Sequence, residues 1–147
     1  MQTIKLHRIV KAPVNKVFRA FIDPLAYAAW IPPYGFLCVV DKMDPREGGE
    51  YHMAFVNFTT GSRHSFGGKI LKVVQDEFIS YSDQFDDPSM PNVMTTSVSF
   101  RQTVAGTELN ITQENVPEAI PAEMCYLGWQ ESLEKLARLV EPEIPDA

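Results

Sequence analysis

Polar and apolar residues alternate from Gln2 to Val10, with Ile4, Leu6 and Arg8 on one face and Thr3, Lys5 and His7 on the other, which predicts an opening strand. The period then changes. Val14, Val17, Phe18, Phe21 and Ile22 recur at helical spacing with Lys16 and Arg19 outward, and Pro13 suits a first turn, where its missing N–H costs nothing. Asp23-Pro24 restarts the pattern as an N-cap and first-turn proline for a second short helix through Tyr27 to Trp30. The prolines and glycine of residues 31–35 break it into a loop. Six strand-like segments follow, at 36–42, 50–58, 63–75, 78–85, 93–103 and 107–114. Their links are too short for parallel crossovers, so they predict an antiparallel meander in one sheet. Beyond Pro117 the helical period returns in Tyr126, Trp129, Leu133, Leu136, Ala137 and Val140, with Glu131, Glu134, Lys135 and Arg138 on the other side. The expected class is α+β: about seven strands in a curved antiparallel sheet around a long C-terminal helix, with two short helices after the first strand.

With 147 residues and no internal repeat or long linker, this order reads as a single domain over residues 1–141 and a frayed tail over 142–147. The net charge of −6 and the scatter of Lys and Arg among acids leave no stripe for a phosphate backbone, so nucleic acid is not an expected partner. No secretory apolar block and no membrane-length apolar run occurs, which points to the cytoplasm and against membrane insertion. Cys38 and Cys125 have no CxxC spacing and sit in apolar surroundings, as buried free thiols do. His7, His52 and His64 show no ligand spacing, and no GxGxxG, P-loop, HExxH or GxSxG occurs, so neither a metal nor a cofactor is expected.

Three features point to a space between the sheet and the last helix. The facing positions are bulky: Tyr51, Met53 and Phe55 alternate on one strand, Met94, Val98 and Phe100 on another, and Trp30, Tyr34 and Phe36 stand at the sheet's entrance. Asn57, Thr96 and Gln102 are mixed into those faces, and a polar atom left unpaired in a solid core costs about 1–3 kcal/mol. Gly128 interrupts the last helix at about 1 kcal/mol against alanine, which calls for close packing on the sheet or a ligand contact there. Gly67-Gly68, inside a strand, reads as a bend or bulge that lets the sheet curve. The expected lining is Trp30, Tyr34, Tyr51, Met53, Phe55, Phe66, Tyr81, Met94, Phe100, Met124 and Trp129.

Among residues able to do chemistry, His64 and Asp83 lie on neighbouring strands, and an imidazole beside a carboxylate is a general-base arrangement, with Tyr81 as a further acid or orienting group. His64 also fits the solvent face. His52 alternates against Tyr51 and Met53 and is expected outside. Glu114 has the opposite parity to Leu109 and Ile111 but, at a strand end that can twist, fits either face; Arg46 and Glu47 read as turn residues with Arg46 paired to Asp44 or to a helix end, and Asp86-Asp87 reads as a solvated turn.

The order of several motifs resembles a known superfamily. They are Ala12-Pro13 with Val17-Phe18, Asp23-Pro24 before Trp30, and Asp44-x-Arg46-x-Gly48-Gly49-x-Tyr51 leading to Met53. Phe66-Gly67-Gly68, Tyr81-Ser82-Asp83-x-Phe85, Gly106-Thr107-Glu108-Leu109, and Gly128-Trp129 with Leu133 and Leu136 complete the set. Together they resemble the SRPBCC, or START-like, superfamily with its helix-grip fold, and within it the homologues of the C-terminal domain of the heat-shock-protein-90 ATPase activator. That superfamily includes lipid and hormone binders, polyketide cyclases and aromatases, and oxygenase subunits, so the resemblance implies a fold without selecting an activity. The eukaryotic activators contact their chaperone through an additional N-terminal domain, so chaperone activation is not carried over. The leading expectation is a binder of a small hydrophobic or aromatic molecule, acting as a monomer or homodimer. The alternatives are a cyclase, dehydratase or hydrolase using His64 and Asp83, and a protein-interaction or chaperone-partner module.

Overall fold

The computed structural model describes residues 1–146, arranged as β1 (Gln2–Val10), α1 (Val14–Ile22), α2 (Pro24–Trp30), β2 (Phe36–Met43), β3 (Glu50–Asn57), β4 (Arg63–Val74), β5 (Phe78–Phe85), β6 (Met94–Thr103), β7 (Gly106–Val116) and α3 (Ala122–Val140). No strand end departs from the periodicity reading by more than two residues. β2 to β7 form the meander, and β1 closes onto β7, giving one open antiparallel sheet in the order β1-β7-β6-β5-β4-β3-β2. Register shifts at Gln2/Ile4, Val40/Lys42 and Ile70/Lys72 bend β1, β2 and β4, and the curved sheet carries α3 as the expected helix-grip, α+β architecture.

Local chemistry sets the helices. The Asp23 carboxylate accepts from the Leu25 and Ala26 amides at 3.0 and 3.3 Å, capping α2 at the proline that opens it. α1 buries Val17, Phe18, Ala20 and Phe21. Phe21 meets Trp30 at 4.7 Å and Phe100 at 5.0 Å between ring centroids, edge to face, and the Trp30 indole donates to the Ala20 carbonyl at 2.8 Å. This end of the sheet is therefore solidly filled.

α3 divides along its length. Its C-terminal half buries Leu133, Leu136, Ala137 and Val140 on that solid core, whereas Met124, Cys125, Gly128 and Trp129 of the N-terminal half are not buried and face a void. Ser132 stands at the division, its hydroxyl donating to the Ile31 carbonyl at 2.6 Å and so tying α3 to the end of α2. Residues 142–146 carry no regular structure, although the Pro142 carbonyl accepts from the Lys16 ammonium at 2.8 Å; Ala147, placed in the tail by its sequence, lies outside the described residues. Both cysteines are free but only half-buried, which corrects the expectation of buried thiols: Cys38 lies on the edge strand β2 and Cys125 borders the void.

Candidate functional site

A cavity of about 440 Å³ opens between the sheet and the N-terminal half of α3. Tyr51 and Phe55 of β3, His64 and Phe66 of β4, Tyr81, Asp83 and Phe85 of β5, and Met94 and Thr96 of β6 form its floor. Each set has one parity on its strand, because successive side chains alternate between the faces of a sheet. Tyr27, Ile31, Pro33 and Phe36 close one end, and Val116, Ile120, Met124, Cys125, Gly128, Trp129 and Ser132 form the roof and rim.

Of the expected lining, Tyr51, Phe55, Phe66, Tyr81, Met94, Met124 and Trp129 border this space. Trp30, Met53 and Phe100 do not, because they are consumed by the solid core; Trp30 and Met53 have no solvent contact at all. Tyr34 lies in the exposed loop before β2. Gly128 corrects the packing expectation: a Cβ there would meet nothing within 4 Å, since its neighbour is the cavity. Of the three mixed-in polar residues only Thr96 reaches the cavity; the Asn57 side chain accepts from the Thr59 amide, and Gln102 accepts from the Val14 amide.

Three tyrosine hydroxyls, a carboxyl and a threonine hydroxyl cluster around the floor of the cavity. The Tyr27 and Tyr81 hydroxyls share a hydrogen bond of 3.2 Å, and the Tyr51 hydroxyl donates to the Ser82 carbonyl at 2.6 Å. Beside them, Asp83 Oδ1 and Thr96 Oγ1 are shielded from solvent and have no hydrogen-bond partner. Burial raises the Asp83 carboxyl from 3.8 to about 7, outweighing the polar groups beside it, the Gln84 amide among them, that favour its ionised form. Burial also holds the phenols of Tyr27 and Tyr51 well above their ordinary value and pushes Tyr81 up to about 12, so all three are neutral donors near neutrality.

His64 is exposed at the rim, its ring 6.3 Å from that of Phe36. It does not meet Asp83. Phe66 pairs with Phe85, so His64 lies two residues to one side of that pair and Asp83 two to the other, about 13 Å apart along the ladder. Gln113 was not anticipated: it follows the inward parity of Leu109 and Ile111, borders the cavity and accepts from the Trp129 indole at 3.2 Å. Glu114 accordingly faces out. Arg46 pairs with Asp44 at 2.9 Å and not with a helix end, the other partner its turn position allowed.

Outside the cavity, His52 stands on the opposite face of β3 with Asp41 at one ring nitrogen and Asp86 at the other, both at 2.8 Å. Among the described residues no group of three His, Cys, Asp or Glu is arranged to hold a metal ion, and no helix is long and apolar enough to cross a membrane.

Comparison with known proteins agrees with this architecture. A protein from Chromobacterium violaceum shares 51% identity, with 96% of this chain and 98% of that one aligned at a TM-score of 0.94. Proteins from Rhodobacter sphaeroides (15% identity, 93% and 90% covered, TM-score 0.82) and Staphylococcus epidermidis (23% identity, 99% and 94% covered, TM-score 0.80) share the fold. No curated protein matches the chain. The family model described as Activator of Hsp90 ATPase homolog 1-like protein matches residues 11–141, nearly the whole helix-grip domain, and the chain belongs to that family.

Proposed function

We propose that the protein binds a small, mostly hydrophobic or aromatic molecule in the space between the sheet and α3. The observation that carries this reading is the cavity itself: about 440 Å³, walled mainly by aromatic, methionine and aliphatic side chains, with a few polar groups set among them. Small-molecule sites combine that size, apolar lining and a few orienting groups. A second support is Gly128, which spends helix propensity to keep the roof open rather than to pack against the sheet. A reaction using His64 and Asp83 as an acid–base pair finds no support in their separation, so binding without chemistry is the reading favoured here.

Trp129 on the wall supplies the test. Titration with a panel of polycyclic aromatic and steroid-sized compounds should quench or shift tryptophan fluorescence and raise the melting temperature, since a ligand at about 100 times its Kd stabilises by about 2.7 kcal/mol. Absence of both signals for every compound up to its solubility limit would sink the proposal.

A further inference from the structure

Asp83 is an acid without a counter-charge. It borders the cavity, its Oδ1 is shielded and unpartnered, and nothing cationic stands near enough to draw its pKa down. The only basic side chain among the lining residues is His64, which is exposed at the rim about 13 Å along the ladder. The other titratable groups facing Asp83 are the phenols of Tyr27 on α2, Tyr51 on β3 and Tyr81 on β5; across the cavity stands the Cys125 thiol of α3, whose pKa burial raises. None offers a positive charge near neutrality.

The aromatic groups form a second, independent observation. The rings of Tyr51 and Tyr81 meet edge to face at 5.8 Å and 88°, and the Tyr27 hydroxyl bonds to that of Tyr81, so three electron-rich rings gather beside one carboxyl. Aromatic faces around a carboxylate attract cations by their quadrupoles as well as by charge. An anionic head group would meet the Asp83 carboxyl with no cation beside it to offset the repulsion. We propose that the ligand of this cavity carries a cationic nitrogen on an apolar body and that Asp83 pairs with that nitrogen beside the tyrosine rings. This rests on the reading of the cavity as a binding site and specifies which compounds it selects.

The test uses three probes sharing one naphthalene body: 2-(2-naphthyl)ethylamine, 2-(2-naphthyl)ethanol and 2-naphthylacetate. Calorimetric titration of the full chain at pH 7 should rank the amine at least about tenfold tighter than the alcohol, as a buried charge pair does, with the carboxylate weakest. Asp83→Asn should abolish the preference for the amine, bringing its affinity level with that of the alcohol measured on the same variant. Repeating the amine titration in buffers of different ionisation enthalpy should show release of up to about half a proton, because a carboxyl with a pKa of about 7 is half protonated at pH 7 and ionises when paired. Should Asp83→Asn fail to fold, the ranking and the proton release on the native chain decide alone. If the alcohol binds as tightly as the amine and no proton is released, the charge pairing is overturned while the binding site stands. If none of the three binds, the pairing is overturned, and the site reading stands or falls by the compound panel alone.

Discussion

The Tyr51 hydroxyl reaches across the width of β4 to donate to the Ser82 carbonyl on β5 at 2.6 Å, and Gly68, the cross-strand partner of Tyr51, is what leaves the path open. A Cβ at position 68 would lie 2.1 Å from the Ser82 carbonyl oxygen and 2.8 Å from its hydroxyl. The Lys69 amide, next along β4, is satisfied by the Ser82 hydroxyl at 2.9 Å, so backbone and side-chain bonds together hold β4 against β5 at this point.

Gly68→Ala should therefore force the two strands apart and cost about 1–3 kcal/mol, the range for overpacking, as a lower urea midpoint. Tyr51→Phe is the milder change. It removes one hydrogen bond, leaves the carbonyl of Ser82 without that donor, and should cost about 1 kcal/mol. Equal midpoints for Gly68→Ala and the native chain would show that the strands part without strain.

Gly128 calls for the opposite outcome from the same substitution. With open space at its Cβ position and a helical backbone around it, Gly128→Ala should stabilise by up to about 1 kcal/mol. Gly128→Phe should keep the fold and place a ring in the cavity, lowering the affinity of a naphthalene-sized probe by at least about tenfold. A bulky side chain here that leaves probe affinity unchanged would put the binding site elsewhere.

Asp83 makes stability depend on pH in a defined direction. Its folded pKa of about 7 exceeds the unfolded 3.8, so the folded state binds more protons between those values and stability falls as pH rises through that window. The loss above pH 7 is on the order of 2–4 kcal/mol, less whatever a relaxing cavity and entering water recover. Asp83→Asn should be close to the native chain in stability at pH 4.5 and exceed it at pH 8. Urea midpoints of both proteins from pH 4.5 to 8 check this, and a constant difference across that range would contradict it.

The fold was legible because each signal in it is local: alternation for the strands, Asp23-Pro24 for the helix junction, and the return of helical spacing after Pro117. The cavity was legible only in part. Alternation on a strand identifies an inward residue but not how far along the strand the helix covers it, which is why Tyr51 and Met53, with the same parity, divide between cavity and core. Trp30 and Phe100 were absorbed by α1, whose position across the end of the sheet is a tertiary fact. The His64–Asp83 pairing failed on register, set by the Phe66–Phe85 pair and invisible in strand order. Gln113 did have a signal, the inward parity continued from Leu109 and Ile111, and it could have been found by extending that count by one step.

His52 bridges two carboxylates, Asp41 of β2 and Asp86 just beyond β5, across the four neighbouring strands β2 to β5 on the face away from the cavity. Hydrogen bonds to those two carboxylates raise its pKa above 6.5, against the smaller effect of burial, because only the imidazolium can donate from both ring nitrogens. A raised histidine pKa contributes stability that is fully present below pH 6.5 and is lost as pH rises through the folded value. The side chains of all three residues are at least 38% exposed, so solvent and salt screen the bridge and its contribution should stay below about 1 kcal/mol. This loss has the same sign as that of Asp83 but begins near pH 6.5, where the loss due to Asp83 is nearly complete. His52→Gln should flatten the native profile above pH 6.5 and leave the slope between pH 4.5 and 6 intact, while Asp83→Asn does the reverse. Following the His52 ring protons by NMR gives the most direct check: titration at or below pH 6.5 would mean that neither carboxylate holds the imidazolium in solution.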